Sequence, residues 1–364
     1  MTSRLFHPDS ALCSAHCGTE SPSTISSKLA SSETSEARML LGRTGSASGS
    51  TSALFSSVIS SLLTESASMS LRGAARLPNI EPARHRMSIA EKAPFQLQRI
   101  GSVMEPDPND PLEAWGVLNP ASARSPEGDL FLYPRVVAEG NYSRIGKARV
   151  LFDGRGEPRG VERMGYVLEP EERYERSMRT HGGVEDPRVT FVEPLGLWAM
   201  VYTAVSSVGP RVAVAVSRDL HTWHRLGLLK YQKTCAVSFN QYGNKDGMFF
   251  PDVVLDPKGN PALAILHRPT YQVHRPDGTV LLEVPCDIEE SRESIWIAYI
   301  SLEKAKEDIR KLVYVYGNEL LAAPVEQWEC LKIGGGTPPV KIPGGWLTYY
   351  HGVSGNISLD PAVT

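Results

Sequence analysis

Gly183-Val184-Glu185-Asp186-Pro187-Arg188 is followed by an apolar run from Val189 to Val192, a turn at Gly196 and a second apolar run from Trp198 to Thr203. A motif ending in proline, a strand, a glycine turn and a return strand together make a hairpin with a polar residue at its mouth. The same grammar recurs three times. Asn119-Pro120 leads through Glu127-Gly128-Asp129 into Leu130-Phe131-Leu132-Tyr133. Phe250-Pro251 precedes Val253 to Leu255, the turn Lys258-Gly259-Asn260 and Ala262 to His267. Pro338-Pro339 precedes Val340 to Ile342, Gly344-Gly345 and Trp346 to His351. A third strand is expected after two of these hairpins, at Arg211 to Ser217 and at Ser294 to Ile300. Repeats of this size predict an all-β chain of propeller blades, whose polar starts converge on one axial cavity. A two-sheet sandwich is the competing architecture.

Helix signals are few. Glu169 to Ser177 reads as a short surface turn of helix, and Ser301 to Leu312 as a solvated helix behind a serine cap. Residues 1–93 are rich in Ser, Thr, Ala and Gly without sustained periodicity, so that stretch is expected to be disordered and residues 94–364 to form the folded domain. The apolar segment Ala53 to Leu63 is broken by serines and too short to span a bilayer. Five scattered cysteines do not make a disulfide framework or a metal-ligand spacing. A formal net charge of −3 gives no electrostatic case for nucleic acid or a membrane surface. A cytoplasmic protein without metal or organic cofactor is the expectation, and a homo-oligomer is compatible with it.

Proline disfavours helix at the residue before it, so Asp186 is expected to be extended and directed, as suits a general acid. Taken alone, Glu185 to Arg188 reads first as a turn with an Asp–Arg ion pair. Asn244-Lys245-Asp246 alone is a polar turn, and Arg268 in His267-Arg268-Pro269 alone is a surface ion-pair partner. Lys332-Ile333-Gly334-Gly335-Gly336 opens the fourth repeat; its glycines would let a ligand approach the backbone, but no Gly-Lys-Ser/Thr follows to make a P-loop. The collective pattern says more. Lys245, Arg268, Lys332 and His351 all fall at ends of repeat strands, where a propeller directs them into one cavity with Asp186. One acid with an anion-binding cluster fits transfer of a glycosyl group to phosphate better than hydrolysis, which usually uses two carboxylates.

With these motifs in view, the chain resembles glycoside hydrolase family 130, the mannoside phosphorylases and related hydrolases. The resemblance runs from about Phe95 to Val353 and rests on Gly116 to Pro120, Gly183 to Arg188, Asn244 to Pro251, Leu266 to Pro269, Lys332 to Pro339 and Gly345 to Val353. It implies a five-bladed β-propeller, of which about four blades are expected here, because Gly355 to Thr364 fits the family's last blade poorly. It implies Asp186 as general acid, inorganic phosphate as co-substrate held by Lys245, Arg268, Lys332 and His351, and a small oligosaccharide contacted by Asn119, Arg135, Arg188 and Asp246. The expected reaction is inverting phosphorolysis of a β-mannoside to α-mannose 1-phosphate. A β-mannoside hydrolase and a non-catalytic sugar-binding scaffold are the alternatives.

Overall fold

The continuous apolar runs explain the architecture. Along Pro261–Pro269, Leu263 and Ile265 enter one core while Ala264 and Leu266 enter another. Along Leu197–Ser206, Val201 and its neighbours Met200 and Tyr202 divide in the same way. Successive side chains of a strand point to opposite faces, so a strand apolar at every position is covered on both. The sheets must therefore stack face to face, with a core between each consecutive pair.

A computed structural model describes residues 37–40, 100–177, 182–232, 239–275, 278–285, 288–343 and 345–355. Its strands form four successive antiparallel meanders within the unit Glu36–Ser354. The first runs through Gly116–Arg124, Leu130–Ala138, Tyr142–Phe152 and Pro158–Leu168. The second comprises Gly182–Val192, Leu197–Ser206, Gly209–Ser217 and His224–Leu228. These two are joined into one sheet by a short parallel pairing of Tyr142 with Gly182 and Ser143 with Gly183. The third uses Asn244–Phe249, Val254–Leu255, Pro261–Pro269, Ile295–Ser301 and Tyr314–Ala322, with Lys230–Tyr231 parallel to the last. The fourth has Lys332–Gly335, Val340–Ile342 and Gly345–Val353. The fold is all-β, as expected; the only α-helix among the described residues is Leu302–Glu307.

One core lies between the first and second meanders, around Phe131, Tyr133, Ile145, Met200 and Tyr202. A second lies between the second and third, around Val201, Val214, Phe249, Leu263 and Ile265. A third joins the third meander to the fourth through Met248, Leu266, Tyr299, Ile333 and Tyr350. The opening strands of the meanders, beginning at Gly116, Gly182, Asn244 and Lys332, lie in sequence beside one another.

Several local expectations need correction. The helix expected over Ser301 to Leu312 is capped by the Ser301 hydroxyl, which accepts from Lys304 N, but it ends at Glu307, and Asp308 caps a separate 3-10 segment, Ile309–Val313. The segment expected as a surface turn of helix contains the 3-10 turn Arg173–Glu175, and Glu175 is fully buried. Its carboxylate accepts from the Tyr202 hydroxyl at 2.7 Å, from Arg225 Nε at 2.9 Å and from the backbone of Glu171 and Glu172. Glu329, in the 3-10 turn Gln327–Glu329, repeats the arrangement with the Tyr350 hydroxyl at 2.6 Å. Both turns lead into an opening strand, so each buried carboxylate fixes the approach of the chain to the end of a sheet.

Of the expected irregular extension at residues 1–93, only Ala37–Leu40 is described, as a strand antiparallel to Gly345–Val353; the remainder lies outside the described residues. Cys13, Cys17, Cys235 and Cys286 also lie outside them. Among the described residues no helix is long and apolar enough to cross a membrane, and no group of three or more His, Cys, Asp or Glu side chains is placed to hold a metal ion.

Candidate active site

The site is built from one register position repeated in every meander. In the opening strand of the first, Leu118 pairs with Arg135 and the register then slips, leaving Asn119 and Pro120 outside the ladder. In the second, Glu185 pairs with Thr203 and Asp186-Pro187 are bulged out. In the third, Lys245 pairs with Arg268 and Asp246-Gly247 are bulged out. Asn119, Asp186 and Asp246 have φ of 44°, 48° and 55°. A bulge re-aims a side chain, and Asn and Asp are the non-glycine residues that best tolerate the left-handed region. Asp186 is therefore directed by a left-handed bulge, and not by the extended backbone that its proline implied. Pro120 and Pro187 fit because a bulged position donates no ladder hydrogen bond.

The prolines that marked the repeats are equivalent only in the first two. In the third meander Gly247 follows the bulged carboxylate, and Pro251 lies beyond the end of the strand. In the fourth, Gly334 pairs with His351 without a slip. The return strands thus place Arg135, Thr203, Arg268 and His351 at matching positions, and the opening strands place Asn119, Asp186, Asp246 and Gly335.

These residues form one bonded network. Asn119 Nδ2 donates to Asp186 Oδ1 at 2.9 Å, and Arg135 Nη1 lies 3.3 Å from the same oxygen. Lys245 Nζ is 3.7 Å from Asp186 Oδ2. Arg135 also donates to Glu185 Oε1 at 2.9 Å, to Asn141 Oδ1 at 3.0 Å and, through Nε, to Ser143 Oγ at 2.9 Å. Arg188 links the two bulges: Nη1 donates to the Asp186 carbonyl at 3.0 Å, and Nη2 is 3.3 Å from Asp246 Oδ1. Arg268 Nε donates to Asp246 Oδ2 at 2.6 Å, and His351 Nε2 is 3.7 Å from that oxygen. Arg268 Nη1 also pairs with the Glu293 carboxylate. Lys332 stands two residues before Gly334 on the same strand, half-buried, opposite Val353 and bridged through its backbone to Glu293.

The glycine run is approached by the protein's own side chains. A Cβ on Gly334 would overlap Asp246 Oδ2, Arg268 Nε and His351 Cε1. The carbonyls of Gly335 and Gly336 accept from Arg188 at 2.9 and 3.2 Å. This run therefore makes room for the buried ion pairs and anchors the arginine that links the Asp186 and Asp246 bulges.

Protonation follows from this arrangement. Burial pushes the Asp186 carboxyl up, but Lys245, Arg135, the Asn119 amide and Arg188 outweigh it and hold Asp186 below the ordinary carboxylate value. The adjacent Glu185 goes the other way: burial and the Asp186 charge raise it against the pull of Arg135 and Lys245. Burial opposes ionisation of Asp246 as well, yet Arg268, Arg188, Lys245 and His351 hold it far below its usual range. Burial lowers His351, and Arg268, Arg188 and Lys245 reinforce this against the attraction of Asp246. His351 is thus a neutral imidazole at neutral pH, a hydrogen-bonding group and not the cation expected from its place in the cluster.

Lys245 is 29% exposed and Asp186 only 8%, so the ammonium borders the open side of the carboxylate. The arrangement offers a buried acid with its charge held by neighbouring cations. Asn119, Arg135, Lys245, Arg188, Asp246, Arg268 and His351 all join this network. The sequence did not single out Glu185, Thr203 or Glu293. Glu185 was visible only as a neighbour of Asp186, and Thr203 and Glu293 carried no motif.

A family model described as β-1,4-mannooligosaccharide phosphorylase matches residues 96–359. A 1,2-β-oligomannan phosphorylase from Thermoanaerobacter sp. (strain X514) is 26% identical over 178 residues, covering 48% of this chain and 44% of the relative. A β-1,4-mannooligosaccharide phosphorylase from Ruminococcus albus is 25% identical over 189 residues, covering 51% and 44%. The chain spans less than half the length of these relatives. The solved structure of a β-1,2-mannobiose phosphorylase from Listeria innocua in complex with β-1,2-mannobiose aligns at 19% identity and a TM-score of 0.45, covering 66% of this chain and 68% of that one. Since the family match takes in all four meanders and every bulge of the site, the chain belongs to glycoside hydrolase family 130.

Proposed function

We propose that this chain is a mannoside phosphorylase that cleaves a β-mannoside with inorganic phosphate, inverting the anomeric carbon to give α-mannose 1-phosphate. The observation that carries the reading is the continuity of the network. Lys245, Arg268 and His351 are tied to Asp186 or Asp246, and Arg188 links the two bulges by donating to the Asp186 backbone carbonyl and to the Asp246 carboxylate. The phosphorylase names of the family and of the relatives agree with it.

Asp186 acts as the general acid that delivers a proton toward the glycosidic oxygen, while phosphate attacks the anomeric carbon from the opposite face. The bond from carbon to the leaving oxygen breaks as the carbon–phosphate-oxygen bond forms, and the leaving sugar takes the proton. Lys245, Arg268 and Lys332 hold the phosphate as cations, and His351 contributes a hydrogen bond. Asn119 and Arg135 orient Asp186 and line the sugar subsite with Arg188 and Asp246. An acid held ionised by cations is a poor acid. A bound phosphate anion offsets those cations, raises the Asp186 carboxyl and so makes proton delivery conditional on the nucleophile being in place. A family-type propeller over residues 94–364 in the cytoplasm accommodates this role without metal or cofactor; its blade count and any homo-oligomer belong to the same proposal.

The test is incubation of the full chain with β-mannobiose, or with mannosyl-N-acetylglucosamine, in the presence and absence of inorganic phosphate. Sugar 1-phosphate formed only with phosphate supports the reading. Free mannose released at the same rate without phosphate makes the chain a hydrolase. Sugar binding without turnover, unaffected by Asp186→Asn, makes it a non-catalytic binding protein.

A further inference from the structure

Four cations of the site already face carboxylates. Arg135 meets Glu185 and Asp186, Lys245 meets Asp186, Arg188 meets Asp246, and Arg268 meets both Asp246 and Glu293. An anion entering such a cluster gains little from a cation whose charge is already matched, unless one carboxylate can give way. The four carboxylates differ in how firmly they are held. Asp186 and Asp246 sit on left-handed bulges, and each has more than one cationic partner. Glu185 lies in the ladder of its strand opposite Thr203, bonded by Arg135 and near Ser143.

Glu293 differs from all three. It belongs to the connection between Pro261–Pro269 and Ile295–Ser301 and not to a strand of the ladder. Its backbone is fixed, since Ile333 N donates to the Glu293 carbonyl at 3.0 Å and the residue bridges to Lys332. Its side chain, however, is bound among the described residues only through Arg268. That side chain is 20% exposed, against 3% for Asp246 on the same guanidinium. A fixed backbone with a side chain held by one bond can swing without disturbing the sheet.

We propose that Glu293 is a competing carboxylate for the anion site: it occupies Arg268 and must be displaced from it when inorganic phosphate binds, so that it sets the affinity for phosphate. The inference rests on the phosphorylase reading and adds to it a residue that acts through Arg268 and does not touch the reacting atoms. Glu293 weakens phosphate binding in exchange for keeping the Arg268 guanidinium, only 3% exposed, compensated and correctly turned. Smaller or less charged anions are excluded most by such competition, because they return less for displacing a carboxylate. In a purely structural role, Glu293 would orient Arg268, and its loss would weaken phosphate binding.

The experiment compares the full chain with Glu293→Gln and Glu293→Ala, measuring initial rates against phosphate and β-mannobiose concentrations, and calorimetric binding of inorganic phosphate alone. In both variants the KM and the Kd for phosphate should fall about three- to tenfold, the size expected for removing one charge beside a partly screened anion, with no matching fall in the KM for β-mannobiose. The Ala variant separates charge from shape and keeps the test alive should the Gln variant fold poorly. A phosphate affinity unchanged or weakened in a folded variant of a phosphate-dependent enzyme overturns the competition and leaves the phosphorylase reading standing. Absence of phosphate binding and of phosphate-dependent turnover in the unmutated chain overturns both.

Discussion

Asn119 donates its side-chain amide to Asp186 Oδ1 at 2.9 Å, and the two residues occupy the same left-handed bulge position in consecutive meanders. The repeat thus supplies an orienting amide in one sheet for the acid in the next. Asn119→Ala removes one hydrogen bond to a charged oxygen, worth about 1.5–3 kcal/mol. The expected outcome is at least a tenfold loss of phosphorolysis, together with an upward move of the Asp186 carboxyl. Steady-state rates and a carboxyl NMR titration of the variant check both.

Asp186→Asn keeps the size and left-handed tolerance of the residue but removes the transferable proton. Phosphorolysis should fall by about 10²- to 10⁴-fold, the usual contribution of a general acid, while the fold survives. Rates measured alongside a thermal melt separate these effects. A variant retaining most of its activity would remove Asp186 from the mechanism.

Much of this was legible in the sequence, and the part that was not has a definite cause. β-Branched runs and glycine turns located the hairpins, and the serine before Leu302 located the helix start. The strands at Pro158–Leu168 and Tyr314–Ala322 carry many exposed or half-buried polar positions and no motif at their ends, and Tyr142–Phe152, though largely buried, is interrupted by Arg144, Lys147 and Arg149, so none of the three stands out as an apolar run. The register slips were invisible as well. A bulge has no compositional mark beyond an Asn or Asp in a strand, so the equivalence of Asn119, Asp186 and Asp246 emerged only from the pairing. Glu175 looked like a solvated carboxylate because its partners Tyr202 and Arg225 are distant in the chain.

Asp246 links stability to pH. Its folded carboxyl is held far below the unfolded value by Arg268, Arg188, Lys245 and His351 against the cost of burial. It therefore stabilises the fold at every pH above the unfolded carboxylate value, about 3.9, and that contribution is lost as pH falls below it toward the folded value. Asp246→Asn should destabilise the chain by about 3 kcal/mol at neutral pH and flatten the fall in melting temperature under acid conditions. Melting curves from pH 7 to pH 3 for both proteins test this; parallel acid profiles would contradict it.

Gly183 has φ of 122°, and a Cβ there would overlap the Ser143 backbone across the joint between the first two meanders. Gly183→Ala meets both steric overlap and an unfavourable dihedral, for a loss of about 1–3 kcal/mol or more. Because Glu185 and Asp186 follow directly, activity should fall more steeply than stability. Chemical denaturation and initial rates of the same preparation provide the comparison.

In the proposed mechanism, phosphate converts Asp186 from a carboxylate held ionised by Lys245, Arg135 and Arg188 into a competent acid. Carbon-13 NMR titration of the Asp186 carboxyl, assigned with Asp186→Asn and recorded with and without saturating inorganic phosphate, measures this directly. The carboxyl should titrate below the ordinary aspartate value without phosphate and shift upward when phosphate is added. A titration that is identical in both conditions, or one that moves downward with phosphate, would contradict it.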